Sequence, residues 1–256
     1  MKCMDEKYIS EENSSEKVIE IKDLKISFDQ QYVLKNVSLH LNKGENMVVF
    51  GKSGSGKSVL IKCIAKLLKP DSGTIKVFGR TIDFISRKEQ NEFRKKIGFL
   101  FQSGALYDSM TVKENLEFPL KRYQRKISQK ELDEKVMEAI ENVGLKDVLN
   151  KMPSELSGGM RKRIALARTI IVDPLIMLYD EPTTGLDPIT SGEISELINA
   201  IQKKYNTSSI IITHDIACAR AIADRVVFLK DGEVNAEGTL QELESSDDPW
   251  IKLFFK

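Results

Sequence analysis

Gly51-Lys52-Ser53-Gly54-Ser55-Gly56-Lys57-Ser58 fits the phosphate-loop pattern G-x-x-x-x-G-K-[ST] at every required position. Met47-Val48-Val49-Phe50 before it is an apolar run that reads as a buried strand, and Val59 to Leu68 after it suits a largely buried helix. Strand, glycine loop, helix is the context this motif needs. Glycines let the backbone approach a polyphosphate and turn its N–H groups inward, and the helix N-terminus adds the positive end of a dipole. Lys57 is then suited to neutralise β- and γ-phosphates, and the Ser58 hydroxyl to hold Mg²⁺. The plain alternative, a glycine turn between a core strand and a helix, is outweighed by eight residues matching in context.

Further along, Leu175-Ile176-Met177-Leu178-Tyr179 is a continuous apolar run ending in Asp180-Glu181, the form of a central parallel strand with acids at its carboxyl end. One acid can orient a metal's waters, and the next can hold an attacking water and accept its proton; alone the pair could simply cap a following helix, but beside a phosphate loop the signal is strong. Ser209 to Thr213 is another buried strand. It ends at His214-Asp215, where an imidazole could donate to a γ-phosphate or merely neighbour a helix cap. Between these strands, Ser157 has N-cap chemistry, and Gly158 and Gly159 leave backbone N–H groups open at the start of a helix expected over Arg161–Val172. That makes a second anion-binding element, although in isolation Ser-Gly-Gly reads more plainly as a capped turn. Arg161-Lys162-Arg163 reads as its solvated first turn.

The remaining stretches supply the frame. Residues 1–17 are polar and without periodicity, and are expected to fray. Val18–Ile21, Leu24–Phe28, Val33–Leu41 and Thr74–Gly79 alternate as strands do and predict an antiparallel β layer; Ile97–Phe101 is a further buried strand. From Ser103 to Glu155 the periodicity turns helical, with Leu132, Val136, Ile140 and Val143 on one face and Gly144 able to close the helix. Arg225–Lys230, Asp231-Gly232 and Glu233–Glu237 predict a hairpin. Thirty-nine basic against 38 acidic residues give a net charge of +1, so no overall field favours nucleic acid or an anionic membrane, and the basic cluster Lys121–Lys126 reads as a solvated loop. Cys3, Cys63 and Cys218 show no metal-ligand spacing, and no apolar run is long enough to span a bilayer. Action at a membrane would therefore need a separate anchor.

Taken in order, Gly51–Ser58, Gln102, Leu156-Ser157-Gly158-Gly159, Asp180-Glu181, Gly185-Leu186-Asp187 and His214 resemble the motif set of ABC-type ATPases, over nearly the whole chain beyond residue 17. The resemblance implies an α/β fold: a P-loop ABC-type nucleotide-binding domain over 18–245 with a parallel core sheet, an N-terminal antiparallel β subdomain and a helical subdomain inserted over 103–165. It implies ATP and Mg²⁺ as ligands, and two copies sandwiching two ATP molecules, each phosphate loop facing the serine-glycine element of the other. It also implies individual roles. Gly51, Ser53, Gly54, Ser55, Gly56 and Lys57 bind phosphates, Ser58 and Gln102 ligate Mg²⁺, and Asp180 supports it through water. Glu181 polarises the attacking water and His214 senses the γ-phosphate. Ser157, Gly158 and Gly159 serve the partner's nucleotide, Asp187 crosses the interface, and Phe28 stands where the family stacks adenine, with Tyr32 close enough to compete. Met160 replaces the family's common Gln.

Phe101–Leu116 and the tail Ser246–Trp250 are similar to the ATP-binding subunits of Mla/Mce-type lipid transporters, which move lipids between membranes of the bacterial envelope. That resemblance implies a peripheral protein on the cytoplasmic face of the inner membrane, partnered by integral permease subunits, with a small accessory subunit and an Mce-type lipid-binding protein as possible further partners. An importer of a small polar solute, a soluble scaffold ATPase and an ATP-closed switch are the rival readings. The tail 246–256 offers helix-start chemistry at Asp247-Asp248-Pro249 and is too apolar at Trp250–Phe255 to stay in water. It either packs on its own domain or, as the sharper expectation, docks Trp250 and Phe254 on a second copy or an accessory subunit.

Overall fold

A computed structural model describes residues 16–86, 89–124 and 126–255. The expected frayed segment therefore lies outside the described residues up to 15, as do Cys3 and Arg125 of the basic cluster. Order begins slightly earlier than expected, since Lys17 opens the first strand and the Glu16 carbonyl accepts from Lys43 N at 2.9 Å.

The elements run β1 (Lys17–Phe28), β2 (Gln31–Asn42), β3 (Asn46–Phe50), α1 (Lys57–Ile64), β4 (Ser72–Val77), β5 (Arg80–Thr81), α2 (Gln90–Lys96), β6 (Ile97–Leu100), α3 (Val112–Tyr123) and α4 (Gln129–Asn142). They continue with α5 (Gly158–Ile170), β7 (Ile176–Asp180), α6 (Pro188–Tyr205), β8 (Ser208–Ile212), α7 (Ile216–Ile222), β9 (Arg225–Lys230), β10 (Glu233–Gly238), α8 (Leu240–Glu244) and α9 (Pro249–Lys252). One sheet has the order β2-β1-β4-β5, with every pairing antiparallel. The other has the order β10-β9-β3-β8-β7-β6, parallel throughout except for the β9–β10 hairpin at its edge.

The continuous apolar runs of β3, β7 and β8 make sense because this second sheet is covered on both faces. Strand alternation then divides one run between two cores. Val48 and Phe50 of β3, Met177 and Tyr179 of β7, and Ile211 of β8 join α3 to α7 on one side. Met47, Val49, Ile176, Leu178, Ile210 and Ile212 join α1 and the antiparallel sheet on the other. The helical block begins with turns, and α3 and α4 start later at the capping boxes Thr111/Glu114 and Ser128/Glu131. As expected, Leu132, Val136 and Ile140 face inward, Val143 is buried, and Gly144 takes a left-handed φ of 67° after the helix. The first helix is shorter than its apolar pattern suggests. It ends at Ile64 because Lys66 turns left-handed at φ 57° and Leu67 N and Leu68 N both return to the Lys62 carbonyl.

The tail corrects the sharper of its two expectations. Ile251 is buried in the main core, and Trp250, Phe254 and Phe255 surround Phe228 of β9 with ring centroids 5.8, 5.0 and 6.1 Å away. Trp250 and Phe254 touch each other, not as one helical face, since α9 stops at Lys252, but across its end. Apolar area on the chain's own β9 satisfies them.

Candidate nucleotide site

Because β3, β7 and β8 run parallel and in register, their carboxyl ends meet at one edge, the place where open α/β sheets bind ligands. Three loops leave that edge, carrying Gly51–Ser58, Asp180-Glu181 and His214. They enclose a cleft of about 640 Å³ whose lining includes Gly51, Ser53, Gly54, Gly56, Lys57, Ser58, Gln102, Glu181 and His214.

The loop is built for close approach. Gly56 sits at φ 100°, and a Cβ there would lie 2.5 Å from Leu34 Cδ2 and 2.9 Å from the Val33 carbonyl, so β2 runs directly beneath it. Lys57 Nζ donates to the carbonyls of Gly51 and Lys52 at 2.8 and 3.0 Å, an ammonium held over its own loop. Burial lowers its pKa, opposed by the charges of Glu181 and Asp180. The buried Ser55 hydroxyl finds no partner among the described residues. A cationic head, an unsatisfied donor and inward glycines together fit a polyphosphate.

At the loop's end, Ser58 Oγ donates to Asp180 Oδ1 at 2.7 Å, with Gln102 lining the same cleft. These are oxygen donors of the kind a small hard cation takes. Among the described residues no three His, Cys, Asp or Glu side chains converge as a metal cage.

Glu181 holds a left-handed backbone at φ 51°, unusual for a side chain of its type. Its amide donates to the Ile212 carbonyl at 2.9 Å. Its Oε2 lies 2.7 Å from His214 Nδ1 and accepts from Thr184 Oγ1 at 3.0 Å. An ionised carboxylate only accepts, so this pairing places a proton on Nδ1. Sequence reading missed Thr184 and misread Lys162. Far from being a solvated first-turn residue, Lys162 is buried and its Nζ donates to the carbonyls of Gln102 at 2.6 Å and Glu181 at 3.2 Å. Ala165 and Leu166, three and four residues on, share its side of α5 and were the available signal.

The other expected residues lie elsewhere. Ser157 caps α5, accepting from Met160 N at 3.2 Å, and neither it, Gly158 nor Gly159 lines the cleft. Asp187 caps α6, accepting from Ile189 N and Thr190 N at 3.1 and 3.0 Å. The two helix starts adjoin, since a Cβ on Gly159 would meet Thr190 Cγ2 at 2.7 Å. Phe28 and Tyr32 flank the β1–β2 turn, both exposed, and the cleft lining on that side is Val33.

A family model described as ABC transporter matches residues 34–184. The intermembrane phospholipid transport system ATP-binding protein MlaF of Haemophilus influenzae is 38% identical over 94% of this chain and 91% of its own. The probable ribonucleotide transport ATP-binding protein mkl of Mycobacterium leprae is 39% identical over 92% of this chain and 68% of its own. Among solved structures, a dimeric post-hydrolysis state of an ATP-binding cassette bound to ADP and Pi is 34% identical and superposes with a TM-score of 0.80, covering 87% of this chain and 98% of that one.

Proposed function

The chain belongs to the ABC transporter family and is an ATP-hydrolysing cassette; on that premise we propose that two copies close on two Mg²⁺–ATP molecules to power lipid movement through a membrane permease. The observation that carries the two-copy reading is the separation of the anion-binding elements. The cleft holds the phosphate loop, both acids and His214, while Ser157–Gly159 open elsewhere on the surface. A second copy brings that element to the cleft. Asp187, beside Gly159, would lie at the same junction.

In each composite site the inward amides of Gly51–Gly56, with Ser53 and Ser55, bind the phosphates, and Lys57 exchanges its two carbonyls for phosphate oxygens. Ser58, Gln102 and, through water, Asp180 would hold Mg²⁺, which would neutralise charge on the phosphate oxygens when bound. Glu181 orients water for attack on the γ-phosphorus and takes its proton as the bond to ADP breaks. His214 fixes the carboxylate and faces the γ-phosphate. Ser157, Gly158 and Gly159 serve the other copy's nucleotide. Phe28 or Tyr32 supplies the adenine platform. Lys57→Ala is expected to weaken ATP affinity roughly 10- to 100-fold, the loss of one or two charge-assisted hydrogen bonds. Equilibrium titration with a fluorescent nucleotide reads this, and unchanged affinity would remove Lys57 from the phosphate site.

Lipid as cargo rests on the match to MlaF, which extends over nearly that protein's whole length, whereas the relative named for ribonucleotide transport is matched over a smaller share of its own. No helix among the described residues is long and apolar enough to cross a membrane; in this reading the crossing belongs to separate permease chains. An accessory subunit and an Mce-type lipid-binding protein complete the proposed assembly on the cytoplasmic face of the inner membrane. Purification of the complex from its own membrane tests this. Integral subunits with bound phospholipid are expected; a complex that stimulates ATPase with a polar solute and carries no lipid would refute the cargo.

The domain extents follow the same reading: cassette over 18–245, helical subdomain over 103–165. Within the latter, Tyr107 stacks edge-on with Phe118 at 5.0 Å and under the Arg168 guanidinium at 4.7 Å, leaving both rings partly exposed beside the turns after Gln102. Tyr107→Ala is expected to leave basal ATPase of the free subunit intact. In the assembled transporter it should cost about 2 kcal/mol of permease contact, the scale of an aromatic hot spot, and lower transport accordingly. Full transport by that complex would argue against this placement.

A further inference from the structure

Lys162 is a charged side chain only 7% exposed, and such a residue is retained only where its donors are used. Both of its contacts are backbone carbonyls of residues at the nucleotide site: Gln102, 60 positions away in sequence, and Glu181, 19 positions away. Burial lowers its pKa, while Glu181 and Asp180 act in the opposite direction.

The second contact bears on strain. A non-glycine residue at φ 51° sits in a conformation that persists only when its surroundings over-determine it. Three bonds hold the Glu181 backbone there: its amide on Ile212 O, and its carbonyl accepting from Lys162 Nζ and from Thr184 N at 3.3 Å. Of these, only Lys162 belongs to another helix. The same helix, α5, is capped at Ser157, five residues earlier, at the serine-glycine element that does not line this chain's cleft.

We infer that Lys162 is a positioning residue that couples the two composite sites, transmitting movement of α5 at the partner's nucleotide to Gln102 and Glu181 at its own. This rests on the two-copy reading above. α5 is one rigid rod of 13 residues, so a shift at its start moves Nζ, and with it the two carbonyls. Docking of Ser157–Gly159 on one ATP thereby sets the base that activates water at the other. Neither Lys162 contact involves a nucleotide-binding atom, so ATP affinity should not depend on it.

The test compares Lys162→Met and Lys162→Arg in the full-length protein, reading ATPase kinetics, equilibrium ATP binding and thermal unfolding. Lys162→Met is expected to lose on the order of 10- to 100-fold in kcat, the scale of a small misplacement of a catalytic group. Its Hill coefficient for ATP should fall toward one, with ATP affinity within about twofold of the unaltered protein and an unfolding temperature unchanged or raised, as apolar replacement of a buried charge often gives. Lys162→Arg, which keeps the donors, should restore most of the turnover and cooperativity. Should Lys162→Met not fold, Lys162→Leu, which likewise carries no donor, takes its place with the same expected losses. Wild-type kcat and cooperativity in Lys162→Met, or a loss that Arg does not rescue or that tracks a lower unfolding temperature, overturns the inference. If the unaltered protein shows neither cooperativity nor dependence on its own concentration, the two-copy reading falls and takes this inference with it. A cooperative unaltered protein with an indifferent Lys162→Met overturns the inference alone.

Discussion

Replacing Glu181 by Gln is expected to cut steady-state ATP turnover roughly 10²- to 10⁴-fold, the contribution of a positioned general base, with ATP binding retained. The substitution keeps volume and most of the local hydrogen bonding. The amide can still meet His214 and Thr184, and the left-handed backbone is held by Ile212 and Lys162 rather than by the carboxylate. What disappears is the proposed proton acceptor. Closed dimers should therefore accumulate with ATP trapped between the copies, visible as a doubled mass in size-exclusion chromatography with nucleotide. Lys57→Ala should behave oppositely, failing at binding. Equal losses of ATP affinity in the two variants would contradict the separate roles, and turnover of Glu181→Gln within a few-fold of the unaltered protein would show that another group accepts the proton.

Removal of the chain from Pro249 onward should destabilise the isolated subunit by about 3–6 kcal/mol, on the order of 1.5–3 kcal/mol for each fully buried large side chain and less for a partly covered one. Ile251 is the fully buried contribution; Trp250, Phe254 and Phe255 are partial. Against a total of roughly 5–15 kcal/mol this is a large share, and a drop of about 10 °C in unfolding temperature is expected for a chain of this size. The loss is concentrated at Phe228, which would exchange three aromatic neighbours for water. Differential scanning calorimetry of the truncated chain checks the value. An unchanged midpoint combined with weaker assembly would mean that the tail's rings serve another subunit instead.

Most of the nucleotide cleft was legible because its parts are short, local and chemically distinctive. A glycine loop between an apolar strand and helix, and acids closing a second apolar run, each carry their context with them. The parts that were not legible depend on side chains reaching across the fold. Lys162 looked like one basic residue among three, and only the docking of α5 against the loops after β6 and β7 turns it inward while Arg163 reaches Glu193 near the surface. Asn115 is similar. It is fully buried in α3 and uses both ends of its amide on the turn 107–111, which fixes the loop following Gln102, yet nothing in the run Val112–Tyr123 marks it. The tail's two readings stayed open for a different reason. Its composition required burial, but composition does not say on whose surface, and Phe228, which the tail covers, belongs to an earlier strand, β9.

The strand order carries a consequence for how the chain is made. β3 lies between β9 and β8, both drawn from the last quarter of the sequence, and not beside any strand that precedes it on the ribosome. The phosphate loop that begins at Gly51 thus hangs from a strand with no ladder partner until synthesis has passed Ile212, and lacks its second until Lys230. Pairings of such long sequence separation are slow to close, and the first part of the chain must wait for them with its apolar strand uncovered. The nascent protein therefore has a nucleotide motif well before it has a nucleotide site. Competence to bind ATP arrives late and all at once, and it reports that nearly the whole cassette has been built.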